Sequence, residues 1–440
     1  MLPMRDYQKR AVAWGLENDM GYFAVDMGLG KTRIILELAK RRKQVLLVVA
    51  PKRVAQHTWP QQILEWAPEL TYTVLHGRNK EECYLLNRDV YIINYDGIPW
   101  LQKMFAKHGR RRLMNSMLVL DESSAVKSHS SNRSKLTHKM RAMFRQCYCL
   151  SASPAPNGMQ DLFMQYLILD HGESLGTGYT KFMNTYFTVA PSRVVRPKNK
   201  NVVHEIERRI SARTFRLDAS DYLKLPDFID NKIELHLPEK LRDMYTRLEE
   251  EFVLQLKQGT ITAVSAATLS MKLRQLIQGA MYIEGGYEVI HEIKLDALEQ
   301  VLQELNGNPA LVAIQFKSEF DMIKKRFGNV PAIVGGQGSN ATLDAWNAGD
   351  IPALFVHPAS VSHGVNLQAG GHNIIWYAPT WNFEHYYQLN GRLRRSGQTK
   401  TVVRTFLTMA NTKEDDIIKA INSKGATQQT LLDALRAHTL

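Results

Sequence analysis

The sequence predicts an α/β protein with two parallel sheets in tandem and helical insertions between them. Three observations carry that expectation. Through residues 1–158 short apolar runs alternate with helix-like stretches; from 159 to 291 that rhythm gives way to aromatic, basic and then helical sequence; from 292 to 440 it returns. Short apolar strands separated by helices mark a parallel sheet covered on both faces. At roughly 150 residues per domain, 440 residues hold two or three.

The elements follow in order. Gly21–Val25 is a short apolar run that enters a glycine-rich turn and then the helical pattern Ile34–Ala39. Val45–Ala50 reads as a strand and Gln56–Trp66 as a helix, followed by strand-like Thr71–Leu75, Val90–Asn94, Met117–Leu120 and Gln146–Leu150. From Met159 to Leu225 the chain is loop-rich, with Pro191 and Pro197 as breakers. Glu239–Gln278 reads as one long helical tract. Strand-like runs resume at Ala310–Ile314, Ala332–Val334, Ala353–Val356, Asn373–Tyr377 and Val402–Leu407. The expected domains are therefore residues 1–158, a helical insertion and linker over 159–291, and a second α/β domain over 292–440.

Composition excludes several classes. Hydrophobic residues make up 44% and charged residues 22%, ordinary globular usage that fits neither a disordered chain nor a coiled coil. No apolar run approaches the roughly 18 residues of a membrane span, and the first residues lack the apolar centre of a signal peptide. Three cysteines (Cys83, Cys147 and Cys149) make neither a disulfide framework nor a four-ligand zinc site, and the Cys147–Cys149 pair reads as core. A cytoplasmic protein without membrane contact is expected. The net charge of +13 is one-sided: residues 1–225 carry an excess of +15, residues 226–440 carry −2, and residues 101–150 alone hold 11 basic against 2 acidic side chains. A field of this kind attracts polyanions, nucleic acid foremost.

The sharpest motif is Asp26-Met27-Gly28-Leu29-Gly30-Lys31-Thr32, after a strand and opening a helix. Glycines let the backbone curl so that N–H groups and the helix N-terminus face phosphates. Lys31 would reach the β- and γ-phosphates and the Thr32 hydroxyl would ligate Mg²⁺, although Val25 stands where the standard pattern has its first glycine. Some 90 residues on, the apolar run Met117–Leu120 ends in Asp121-Glu122. Parallel sheets place ligands at their carboxyl edge, so Asp121 is the candidate to hold Mg²⁺ and Glu122 to orient or deprotonate the attacking water. The third piece is Gln388…Arg392…Arg395, in the second α/β stretch. Arginines three apart lie on one helix face and are the candidates for charge at the γ-phosphate.

Taken together, Asp-Met-Gly-Leu-Gly-Lys-Thr, Asp121-Glu122, Ser151-Ala152-Ser153-Pro154 and Gln388…Arg392…Arg395-Ser-Gly-Gln resemble helicase superfamily two. More narrowly they are similar to the Swi/Snf-type double-stranded DNA translocases, over nearly the whole chain and in the family's order. The stretch Ser153–Gly158 looks most like compact bacteriophage and prophage members. The resemblance implies two RecA-like domains, ATP and Mg²⁺ as cofactors, and a DNA-dependent ATPase acting as a monomeric motor on DNA, duplex favoured. Partners would come from phage replication or recombination, in the bacterial host cytoplasm. It assigns Gln8 to the adenine and Met27, Gly28, Leu29, Gly30, Lys31, Thr32 and Arg33 to the phosphate loop and helix start. It assigns Lys52, Arg53, Asn94, Tyr95 and Lys127 to DNA phosphates in domain one, and Gly364, Asn366, Trp381 and Asn382 to coupling and DNA contact in domain two. Departures stand beside these matches. Ser123-Ser124 occupies the place of the family's Ala-His, Ser-Ala-Ser-Pro that of Thr-Gly-Thr-Pro, and Arg394 that of a common His. A nucleotide-sensing switch that binds nucleic acid or a partner without motor activity is the second reading, and a non-catalytic nucleic-acid scaffold the third.

Overall fold

The computed structural model describes residues 3–189, 195–199, 201–257, 263–335, 340–361 and 365–437. It divides into two units, residues up to Lys224 together with the chain from Lys424 onward, and Leu225–Ser423. The strands, in chain order, are β1 Met20–Val25, β2 Leu46–Ala50, β3 Tyr72–Val74, β4 Val90–Asn94, β5 Met117–Asp121, β6 Gln146–Leu150, β7 Phe187–Val189, β8 Val195–Pro197 and β9 Thr214–Leu217. They continue with β10 Phe228–Leu235, β11 Ala280–Ile283, β12 Gly286–Val289, β13 Ala310–Ala313, β14 Ala332–Ile333, β15 Ala353–Val356, β16 Asn373–Trp376 and β17 Val402–Met409.

The first unit holds a seven-stranded sheet in the order β3-β4-β2-β5-β6-β1-β9, every neighbouring pair parallel. β2 and β5 are buried at every position, as a sheet covered on both faces requires. The register sets Asp121 of β5 beside Leu150 of β6, and Leu150 beside Phe23 of β1. The carboxyl ends of β5, β6 and β1 thereby stand in a row. The second unit holds a six-stranded parallel sheet, β10-β17-β16-β13-β15-β14. Two antiparallel hairpins, β7–β8 and β11–β12, complete the strands. The fold is the α/β class expected, two RecA-like parallel sheets.

The division differs from the expected boundaries 158/159 and 291/292. The stretch read as a helical insertion supplies an edge strand to each sheet, β9 to the first and β10 to the second. It also carries the helices Leu162–Asp170, Tyr179–Tyr186 and Asn201–Ser211, whose apolar faces join the first core. The tract Glu239–Gln278 is two helices, Glu239–Lys257 and Ala263–Ile277. The last turns of the helix Lys413–Ala437 belong to the first unit, where Leu431, Leu432 and Leu435 are buried in its core. Cys147 and Cys149 are buried in β6. Among the described residues no helix is long and apolar enough to cross a membrane.

Candidate nucleotide site

The phosphate loop leaves β1 at Val25 and enters helix α2, Lys31–Arg42 after α1, Asp6–Glu17. Gly28 and Gly30 take φ of 84° and 83°, left-handed backbone open to glycine. Gly30 is also the N-cap of α2 and offers no side-chain acceptor, so the first N–H groups of the helix are left to an anion. The Lys31 ammonium donates to the Val25 carbonyl at 2.9 Å, which lays its stem along the loop. Met27, Arg33 and Thr32 are half-buried, and Leu29 is fully buried beneath the turn.

Gln8 lies against this loop. Its Oε1 accepts from the Arg5 N–H at 3.1 Å and its Nε2 donates to the Leu29 carbonyl at 3.1 Å. A Cβ on Gly30 would meet that Nε2 at 2.5 Å, so the glycine admits the amide as well as the left-handed turn. Beside Gln8, Tyr7 packs on Tyr222 at 4.5 Å between ring centroids, and Arg10 donates to the Tyr222 hydroxyl at 2.6 Å. Arg33 lies over the Trp66 ring at 4.1 Å. The loop is pinned from its other side: Asp26 pairs with Arg216 at 2.8 Å and accepts the Ala219 N–H at 3.0 Å. Arg216 is buried in β9 and reaches Ala24 O and Asp218 as well. No local signal in the sequence marks Trp66, Arg216 or Tyr222 as belonging here.

The carboxylates stand at the end of β5. Asp121 is buried; its Oδ2 accepts the Trp59 indole N–H at 2.9 Å and its Oδ1 the Glu122 N–H at 3.0 Å. Glu122 takes φ 51°, a left-handed conformation that is costly for a side-chain-bearing residue and clusters at functional turns. Trp59 begins α3, Trp59–Trp66, and is wholly buried. Because β6 lies between β5 and β1, the segment Ser151–Pro154 stands between the carboxylates and the phosphate loop.

The residues assigned to DNA fall into different settings. Lys52 is exposed; Arg53, Asn94 and Lys127 are half-buried near the carboxyl ends of β2, β4 and β5. Burial pulls the Arg53 guanidinium below its usual range. Tyr95 corrects the expectation. It is buried, its hydroxyl donates to the Asp121 carbonyl at 2.9 Å, and burial holds it protonated, so it supports the carboxylate strand. Part of the charge of residues 101–150 lies away from the phosphate loop: Arg110, Arg111 and Arg112 precede β5 and Arg145 precedes β6, at the amino edge of the sheet.

In the second unit Gln388, Arg392 and Arg395 belong to or follow the helix Phe383–Leu393. Gln388 is buried and its Oε1 has no hydrogen-bond partner. Arg392 donates to the Val365 carbonyl at 3.1 Å; Arg395 donates to Asn366 Oδ1 at 2.6 Å, and burial lowers the pKa of its guanidinium. Asn366 therefore rests on Arg395. Asn382 caps that helix through the His385 N–H at 3.1 Å, and Trp381 is exposed. Gly364 lies outside the described residues.

A magnesium nucleoside triphosphate fits the first unit. The loop curls on two left-handed glycines into an uncapped helix N-terminus, Lys31 lies along it, and a buried Asp121 ends β5, one strand removed from β1. Among the described residues no group of three or more His, Cys, Asp or Glu side chains is placed to hold a metal.

Comparison with known proteins places this geometry. Residues 7–281 match the SNF2-related domain family. Protein p41 of Acyrthosiphon pisum secondary endosymbiont phage 1 is 30% identical over 98% of both chains. An uncharacterized ATP-dependent helicase of Mycoplasma pneumoniae is 24% identical over 94% of this chain, which spans 41% of that protein. A solved Sulfolobus solfataricus SWI2/SNF2 ATPase core in complex with dsDNA is 21% identical, aligning all of this chain with 95% of its own at a TM-score of 0.45. With its glycine loop, its Asp-Glu strand end and a phage homologue matched end to end, the chain belongs to the SNF2-related family, as a compact, phage-like Swi/Snf-type ATPase of helicase superfamily two.

Proposed function

We propose that this protein is an ATP-driven motor that tracks along DNA, duplex favoured, by its phosphate backbone and with little regard to base sequence. The observation that carries the reading is the Asp121 carboxylate, buried and held by two N–H donors at the end of β5, in the same row of strand ends as the phosphate loop. A buried carboxylate that accepts an N–H on each oxygen is held in one orientation, as a ligand to a hard cation requires. Bound ATP with Mg²⁺ supplies the anhydride to be cut and the cation that neutralises its charge.

The chain's own groups do the rest. The α2 N–H groups and Lys31 hold phosphate oxygens, with the Thr32 hydroxyl and Asp121 as cation ligands. Glu122 orients the water and takes its proton. Gln8, with the Tyr7–Tyr222 pair, meets the base. Arg392 and Arg395 of the second unit supply charge to the γ-phosphate, which requires that they release Val365 and Asn366. Lys52, Arg53, Asn94, Lys127, Gly364, Asn366, Trp381 and Asn382 are the proposed DNA contacts, and the protein acts as a monomer in the cytoplasm.

The deciding experiment is steady-state ATP hydrolysis with duplex, single-stranded and branched DNA and with RNA. Duplex DNA is expected to raise the rate most, and the affinity to fall with salt by a slope of about −0.9 per phosphate neutralised. A single slow turnover indifferent to nucleic acid would replace the motor with a nucleotide switch.

A further inference from the structure

The carboxylate motif of this chain continues with serine, and that serine is tied into a buried polar network. Ser123 Oγ lies 2.9 Å from the Tyr22 hydroxyl and 2.9 Å from Gln165 Oε1, and Tyr22 donates to the same Oε1 at 2.7 Å. The Gln165 amide nitrogen donates to the Pro154 carbonyl at 2.8 Å and to the Asp161 carbonyl at 2.8 Å. Tyr22, Ser123 and Gln165 are all inaccessible to solvent. One glutamine thus meets both of its acceptor positions and both of its N–H groups, the full capacity of a side-chain amide. Burial keeps the Tyr22 phenol protonated, so its proton is available to that bond, and its hydroxyl also meets the Ser151 side chain.

The placement of these partners is what matters. Ser123 follows the left-handed Glu122, Tyr22 lies in β1 ahead of the phosphate loop, and Pro154 closes the Ser151–Pro154 segment between them. Within that segment Ser153 N–H donates to Ser151 Oγ at 3.0 Å, while the buried Ser153 Oγ has no hydrogen-bond partner. The segment is therefore held at Pro154 by Gln165 and keeps one hydroxyl unbonded. A shift of Pro154 is passed through a single rigid amide to the residue next to Glu122. Buried, fully bonded polar groups have few alternative arrangements, so such a link transmits displacement where an apolar contact would slide.

The geometry points to Gln165 as a positioning residue that couples the Ser151–Pro154 segment to the Glu122 carboxylate through Ser123, in the place where Ser124 replaces the family's histidine. It rests on the reading of the chain as a DNA-stimulated ATPase, with Glu122 as the base.

The test is a double-mutant cycle of Ser123→Ala and Gln165→Met. Each single variant is expected to bind a fluorescent ATP analogue within about threefold of wild type. Each is expected to lose about tenfold or more of the duplex-stimulated kcat. The double variant should be no worse than Gln165→Met, because both changes break one link. Thermal unfolding of the same four proteins reads the bond without activity, and the two shifts in Tm should likewise not add. Either single variant, folded and with wild-type kcat, overturns the proposal, as does full additivity in rate and Tm. Should Gln165→Met not fold, Tyr22→Phe, which removes one hydroxyl, takes its place in the cycle. If wild type shows no DNA stimulation, the functional reading fails separately, and the coupling is read from basal kcat at unchanged nucleotide affinity.

Discussion

Replacing Trp59 with phenylalanine tests whether the cation-binding carboxylate is held as the structure shows. The indole N–H donates to Asp121 Oδ2 at 2.9 Å, and both partners are shielded from solvent, Trp59 wholly and Asp121 at 6% exposure. A hydrogen bond to a buried charged group contributes about 1.5–3 kcal/mol. The loss leaves the Glu122 N–H at 3.0 Å on Oδ1 and removes from Oδ2 the indole that sets its direction. Loss of a group that orients a metal ligand commonly costs about 10–100-fold in metal affinity, which is the same energy on another scale. Trp59→Phe should therefore raise the Mg²⁺ concentration for half-maximal ATP hydrolysis by about tenfold or more, with nucleotide affinity in the absence of metal little changed. The void left by the smaller ring lowers Tm by its own amount, so the assay is a Mg²⁺ titration of rate well below Tm. A folded Trp59→Phe protein with the wild-type Mg²⁺ curve would refute the argument that this indole orients Asp121.

Three further outcomes follow from the same residues. Glu122→Gln should keep ATP bound while turnover falls by the two orders of magnitude that about 3 kcal/mol represents, and Lys31→Ala should lose nucleotide affinity too; equilibrium binding beside turnover separates them. Arg395→Ala should retain ATP and DNA binding yet lose roughly three orders of magnitude in DNA-stimulated rate, and an unchanged rate would remove it from catalysis. Glu319, wholly buried, is pushed up to about 7 by burial, against the N–H groups of Gln315 and Phe316 and the charges of Lys294 and Arg274. Because the folded value lies above the unfolded one, the proton favours the fold at low pH, and that contribution is lost as pH rises to about 7. Glu319→Gln should therefore gain stability over wild type between pH 5 and 7.5, on the order of 2 kcal/mol, read by denaturant unfolding at the two pH values.

The sequence by itself determined the local chemistry. Strands such as Leu46–Ala50 and Met117–Asp121 are apolar at nearly every position, so periodicity alone marks them as buried. The glycine turn and the Asp-Glu strand end were legible because their backbone demands and charges are written in adjacent residues. What lay beyond it were residues whose partners are remote in the chain. β9 reads Thr-Phe-Arg-Leu, and nothing local says that its arginine is buried; Asp26, 190 positions away, makes it so. Nothing within Gln56–Trp66 shows that the Trp59 N–H meets Asp121, 62 positions on, and Gln165 became a link when the order β5-β6-β1 gathered Ser123, Pro154 and Tyr22 around it. Tyr95 and the arginines before β5 show the converse, since charge and residue type are fixed by sequence while the edge of the sheet they occupy is not. Buried polar groups must be satisfied, and only the tertiary structure decides by whom.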